Sequence, residues 1–275
     1  MEYLGPFFFN AIRFALGAIW LLPFIYLRRN TQLKFRDLFN YRTLKDGLWL
    51  GIILFVAASL QQIGIIHTTA GKAGFITGLY VILVPLFGIM LKKTTGLLTW
   101  IGAGLALVGL YFLSFQDSMI IGRGDLLVFI AAFFWAFHVL AIDHFVEKTS
   151  ALLLAFHQFL FCSLFSFISA LFLEEMQWSA LLPAAIPVLY AGLFSVGIGY
   201  TLQVLAQKEA HPSHAAIILS LESVFAVIGG WLLLHESLSS RELLGCVLML
   251  SGMIFSQLRF GKDYQISPSG IKNNE

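Results

Sequence analysis

The chain has 275 residues, of which 59% are hydrophobic and 12% charged, with 27 Phe and a mean hydropathy of +0.85. A soluble domain carries about 25% charged residues, so there is too little polar surface here to cover a water-facing globule, and the composition points to a membrane protein. A formal net charge of +2, dispersed along the chain, excludes a basic nucleic-acid-binding face, and 2 cysteines inside apolar runs exclude a disulfide framework and argue against a zinc cluster.

A membrane-spanning helix needs about 20 apolar residues rising about 1.5 Å each. Nine runs meet that description: 7–27, 47–66, 73–91, 97–115, 126–146, 151–173, 184–207, 213–234 and 243–258. Long Phe/Leu/Ala/Gly-rich runs favour helices over the alternating pattern of a barrel strand, so the fold class is an all-α polytopic membrane protein with nine predicted transmembrane helices. Met1-Glu2-Tyr3 offers no basic region and does not read as a cleavable signal peptide.

The first run carries Asn10, Arg13 and Gly17 on one face. Arg13 either snorkels to the outer surface or forms an anion-facing stripe. The link from Arg28 to Asp46 mixes basic and apolar residues and reads as a segment lying on the membrane surface. The second run ends near Gln61-Gln62, and the third holds Thr77, Tyr80 and Pro85, where a freed carbonyl predicts a kink. The fifth run places His138 in mid-span with Trp135 one turn away, a pairing suited to a substrate cavity or to a hydrogen bond between helices. Asp143 sits near that run's inner end and reads as an interfacial charge.

In the seventh run Ser195, Gly199, Gln203 and Gln207 follow helical spacing, with Tyr200 beside them. The eighth run holds Glu222, the acidic residue nearest the centre of any run, too deep to snorkel. A charge there costs a few kcal/mol at least, so Glu222 is either a titratable group for an amine or coupling proton, or a neutral acid locking two helices. Gly47/Gly51, Gly74/Gly78, Gly102/Gly109 and Gly245/Gly252 have the spacing that lets helices approach closely.

Lys and Arg set the orientation. With the chain starting outside, the inner loops and tail hold 13 of them, from Arg28 to Lys272, and the outer segments hold 3: Lys72, Arg123 and Arg241. The C-terminus is therefore expected in the cytoplasm. An internal repeat is also present. Shifted by 143, Gly102 falls on Gly245, Leu105 on Leu248 and Gly109 on Gly252; shifted by 142, Leu60-Gln61 falls on Leu202-Gln203; shifted by 145, Arg13-Phe14 falls on Gln158-Phe159. Runs one to four then match runs six to nine, and the fifth has no partner unless one helix precedes Met1. The predicted organisation is an inverted 5+5 repeat lacking its first helix, with 1–115 and 123–258 as the two copies and 259–275 as a cytoplasmic tail. Inverted repeats mark secondary transporters, with a substrate site near the midplane.

Several stretches carry a family likeness. Leu4-Gly5-Pro6 with Ile12-Arg13-Phe14, Gly74 to Tyr80 with Val84-Pro85-Leu86, Leu221-Glu222, His235-Glu236-Ser237-Leu238, Gly245 and Gly252 together resemble the EamA type of the drug/metabolite transporter superfamily. The resemblance implies a bacterial inner-membrane carrier that exports amino acids or other small metabolites. Ser223 stands where the family often has Pro, and His235 where it usually has Gly.

The substrate pathway is expected to use Glu222, His138, Trp135, Gln61, Gln62, Gln203, Tyr80, Tyr200 and Arg13. The partners expected are a small molecule and the lipid bilayer, with no cofactor, no metal and no nucleic acid; a homodimer is left open. No GxxxxGK[ST], HExxH or GxSxG motif is present, which disfavours an ATP-driven pump and an intramembrane enzyme. A non-transporting or truncated membrane subunit is the other reading, on account of the absent helix.

Overall fold

The computed structural model describes residues 4–28, 35–93, 95–114, 122–176, 178–234 and 239–258, and these residues form helices and their connections. In chain order the helices are α1 (Pro6–Arg28), α2 (Tyr41–Ile66), α3 (Ala70–Gly78), α4 (Tyr80–Met90), α5 (Leu97–Ser114), α6 (Arg123–Val146), α7 (Ala151–Leu173), α8 (Ala185–Leu189), α9 (Thr201–Gln207), α10 (Pro212–Ser220), α11 (Glu222–Leu234) and α12 (Ser240–Gln257). A π-helical stretch, Tyr190–Tyr200, joins α8 to α9. Counting α3–α4, α8–α9 and α10–α11 as continuous, 7 helical segments among the described residues are long and apolar enough to cross a membrane. The outer surface suits lipid: Phe172, Leu182 and Ile186 are 83, 85 and 82% exposed, which a water-facing protein rarely tolerates across a wide surface.

The expected surface segment between the first two spans is a 3-10 turn, Phe35–Phe39. After it α2 starts at Tyr41, six residues before the apolar run, because the Asn40 side chain accepts the Arg42 N–H at 3.0 Å and caps the helix. Two predicted spans are broken. The helix between residues 70 and 90 is interrupted at Leu79, and that between 212 and 234 at Leu221; both breaks follow a helix of 9 residues. Pro85 is not the break: α4 runs through it.

Helix lengths pair off across the chain. α1 and α7 both have 23 residues, starting at Pro6 and Ala151; α5 and α12 both have 18, starting at Leu97 and Ser240. α5 and α12 run antiparallel in direct backbone contact. A Cβ on Gly102 would lie 2.5 Å from the Gly252 carbonyl oxygen, and one on Gly109 would lie 2.6 Å from that of Gly245. The other long helices also approach through glycine: a Cβ on Gly51 of α2 would meet Phe161 of α7 at 2.6 Å, and one on Gly192 would meet Leu16 of α1 at 2.7 Å. Small residues are what permits such spacing where lipid supplies no hydrophobic drive between helices. Phe14, Leu50, Leu54, Ala131, Ala136, Phe159 and Val196 fill the space left at the centre.

Candidate functional site

The central residues come from seven segments and converge on Tyr200, the last residue of the π-helical stretch. Its ring lies 6.2 Å from Phe14, 6.5 Å from Phe159 and 6.0 Å from Trp135, edge-on to the last. A helix widened to i→i+5 bonding carries its residues round the axis differently from an α-helix, and such stretches favour functional positions. The expected stripe Ser195, Gly199, Gln203, Gln207 is accordingly not one face: Gly199 is exposed, Ser195 and Gln203 are half-buried, and Gln207 is buried with its amide donating to the Val139 carbonyl at 3.0 Å.

Arg13 does not snorkel outward. Its guanidinium stays between its own Phe9 and Phe14 rings, 5.4 and 4.9 Å from their centroids, within electrostatic reach of Tyr200 and Cys162. Glu222 opens α11 directly after the break at Leu221, within electrostatic reach of Tyr80 and Tyr200. The Glu222 side chain keeps accessible surface, whereas Leu221 before it is buried. Arg13 and Glu222 thus both lie within electrostatic reach of Tyr200, and neither has an ion-pair partner among the described residues.

Polar groups surround this pair. Gln61 accepts from Trp135 Nε1 at 3.1 Å and donates to Thr77 Oγ1 at 3.1 Å, tying α2, α3 and α6 together. His138 Nε2 and Gln158 Oε1 are 2.8 Å apart, linking α6 to α7, and Trp135 stands edge-on to His138. Gln203, equivalent to Gln61 in the sequence repeat, instead donates to Gln207 of its own helix at 3.2 Å. Gln62 is half-buried on α2. Among the described residues, both amide atoms of Asn10, Nε of Arg13, Nδ1 of His138 and Nε2 of Gln158 are buried without a hydrogen-bond partner. Leaving such groups bare costs about 1–3 kcal/mol each. Asn10, Gln158, Phe14 and Phe159 were not among the pathway residues expected from sequence; the polar pair had a signal, as buried amides one turn from Arg13 and opposite His138.

Both ends of α6 are held by polar contacts. At one, Thr68 donates to Asp125 at the start of α6. At the other, Lys93 pairs with Asp143, so Asp143 is a tie between segments rather than a free interfacial charge. Beside that pair Thr95 and Ser213 hydroxyls are 3.3 Å apart, and Thr99 Oγ1 is 3.3 Å from His214 Nε2. His211 Nδ1 accepts the Ser213 N–H at 3.4 Å and so caps α10 in its neutral form. Burial, then His214 and Lys93, push this imidazole down to about 4. The unfolded chain takes up the proton near the ordinary 6.5 and the folded chain only near 4, so stability is lost as pH falls through that window. Thermal unfolding in detergent is expected at lower temperature at pH 4.5 than at pH 7, and His211→Gln should flatten part of that slope. A variant with the wild-type slope would show that His211 titrates normally.

Among the described residues no cluster of three or more His, Cys, Asp or Glu suits a metal ion. Cys162 is buried and free. His235-Glu236-Ser237-Leu238 lie outside the described residues.

The EamA-like transporter family matches residues 1–115 and 122–257. An uncharacterized transporter of Archaeoglobus fulgidus is 32% identical over 260 residues, covering 94% of this chain and 79% of that protein. The uncharacterized transporter YoaV of Bacillus subtilis is 22% identical over 268 residues, covering 94% of this chain and 89% of that protein. A crystal structure superposes with a TM-score of 0.76 at 17% identity, covering 92% of this chain and 88% of the other, which is a likeness of fold.

Proposed function

Because the chain belongs to the EamA-like transporter family and is a multi-pass membrane transporter, we propose that it is a secondary carrier exporting an apolar amino acid, or a small metabolite of the same charge pattern, from a bacterial cytoplasm. The observation that carries this reading is the pair of opposite charges within electrostatic reach of Tyr200. Arg13 meets a carboxylate, Glu222 meets an ammonium, and Tyr200, Trp135, Phe14 and Phe159 cover the apolar part. Unpartnered charges of both signs near one aromatic cluster are neutralised together by a zwitterion, and by neither an amine nor an acid alone.

Alternating access rests on a two-copy architecture. The seven long spans and the two 18-residue helices α5 and α12, each about 27 Å long, make nine crossings. The equal lengths of α1 and α7 and the matched breaks at Leu79 and Leu221 support two inverted copies. So does the antiparallel α5–α12 contact, where Gly102 meets the repeat partner of Gly109, and Gly109 meets the repeat partner of Gly102. That exchange is the pattern of a two-fold axis between them. The breaks put Tyr80 and Glu222 at equivalent places, each opening the second half of a discontinuous helix, where membrane carriers hold substrate. The excess of Lys and Arg on one side supports a cytoplasmic C-terminus. In that orientation the Lys93–Asp143 pair closes the cytoplasmic end, and its release admits substrate there.

Counterflow in proteoliposomes tests the reading with phenylalanine, phenethylamine and 3-phenylpropionate as substrates. The zwitterion is expected to exchange at least tenfold faster than either analogue, and Arg13→Gln to lose that preference over the amine. Equal exchange of all three, or of the amine alone, would overturn the zwitterion site; no exchange of any would favour a non-transporting subunit.

A further inference from the structure

A polar cavity of about 450 Å³ lies between the first turns of α2 and the last turn of α6. Arg42 and Lys45 line it from α2, three residues apart and so on one face, and Lys148 lines it from the turn after α6. None of the three forms an ion pair among the described residues. One carboxylate, Asp46, also lines the cavity, buried and accepting the Thr149 hydroxyl at 2.6 Å, so the lining holds three cations against one anion. Glu147 is exposed next to Lys148 and lies outside the cavity lining. Three unpaired cations around a half-enclosed space select a compact polyanion, and a phosphate group fits both the charge and the volume.

The surroundings favour a phosphate carrying acyl chains. Trp49, 51% exposed, stands two turns along α2 from Arg42, at the height where tryptophans sit at a membrane interface. On α6, His144 at the cavity is followed along the same face by Phe137 and Ile130, 45 and 40% exposed, which continue as an apolar rail into the bilayer depth. A cationic pocket at the interface with an apolar rail leading from it matches a phospholipid in outline.

We infer that this α2–α6 cavity binds the phosphate of an anionic phospholipid, held by Arg42, Lys45 and Lys148, with the acyl chains lying along Phe137 and Ile130. The site shares no lining residue with the Arg13, Tyr200 and Glu222 group. Its occupancy ties the α2 start to the α6 end, one turn from the Asp143–Lys93 pair.

Native mass spectrometry and thermal unfolding of the purified full chain, titrated with phosphatidylglycerol, phosphatidylcholine or inorganic phosphate, test this. Phosphatidylglycerol is expected to bind saturably and raise the unfolding temperature, and phosphatidylcholine to do neither. Each cation near the headgroup contributes roughly 1 kcal/mol, so Lys45→Gln should weaken phosphatidylglycerol about fivefold. The combined Arg42→Gln, Lys45→Gln and Lys148→Gln change should weaken it about a hundredfold. Lys208→Gln, a basic residue of the same predicted side outside the cavity, should leave binding unchanged. Because all three cations are exposed, loss of folding is not expected, and an unchanged unfolding temperature without lipid verifies this. A shift of equal size with inorganic phosphate would assign the site to free phosphate. Equal responses to both lipids, or full phosphatidylglycerol binding by the triple variant, would overturn the inference.

Discussion

Gly252→Ala is expected to unfold at a markedly lower temperature than the wild type, while Gly104→Ala does not. The new methyl at 252 would lie 2.5 Å from the Gly102 carbonyl oxygen and 3.0 Å from the Ala106 nitrogen. Both obstacles are backbone atoms, so relief requires α12 to move away from α5 as a body. Overpacking of a tight contact costs about 1–3 kcal/mol, and here the separation also strips contacts along the shared length of two helices. Gly109→Ala should behave alike, its methyl meeting the Gly245 oxygen at 2.6 Å and the Met249 nitrogen at 2.9 Å. Gly104 lies on the same helix with nothing within 4 Å of its Cβ position, so alanine there gains helix propensity of up to about 1 kcal/mol. Combining Gly102→Ala with Gly252→Ala should cost less than the sum of the two, because one displacement relieves both. Thermal unfolding and size-exclusion profiles in detergent measure this. Equal stability of the 252 and 104 variants would mean that α5 and α12 do not pack at backbone distance.

The glycine pattern shows what was legible. Gly102, Gly109, Gly245 and Gly252 are two-turn pairs in apolar runs, and small residues at that spacing have few roles besides close helix contact. The run 151–173 coincides with α7 because nothing competes with apolar length there. Legibility fails where tertiary contact decides. Neither Leu79 nor Leu221 carries a breaking residue, and Pro85, which does, lies within a continuous α4. The start of α2 had a local sign in Asn40, outweighed in a hydropathy reading by Arg42, Lys45 and Asp46. Gln61 and Gln203 are equivalent in the repeat, yet Gln61 meets Trp135 and Thr77 from other helices whereas Gln203 meets its own Gln207. Arg13 was open between lipid surface and interior; Phe14 and Tyr200, brought together by the fold, decide for the interior. The π-helical stretch has no signature of its own beyond Gly192, Gly197 and Gly199, and it alone turns Tyr200 to the centre.

Glu222→Gln is expected to lower exchange of a zwitterionic substrate by one to two orders of magnitude and to leave folding intact. A hydrogen bond to a charged group is worth about 1.5–3 kcal/mol, and the amide keeps the shape and some bonding while losing the charge that meets an ammonium. A structural alternative is available, because Glu222 is acidic in the first turn of α11, where a carboxylate complements the helix dipole. The two roles separate by readout. A dipole partner contributes about 0.3–1 kcal/mol to stability and nothing to substrate choice, so Glu222→Gln would then unfold slightly earlier and transport normally. A substrate carboxylate predicts the reverse: unchanged unfolding, slow exchange, and transport no longer dependent on pH across the range where the wild type varies. Glu222→Asp keeps the charge on a shorter arm and should recover part of the rate, which a volume effect would not. The substrate role is favoured because Glu222 retains accessible surface, lies within electrostatic reach of Tyr80 and Tyr200, and has no ion-pair partner among the described residues. Wild-type exchange and pH profile in the Gln variant would leave Arg13 as the one charge selecting substrate, and the preferred ligand would then be an anion.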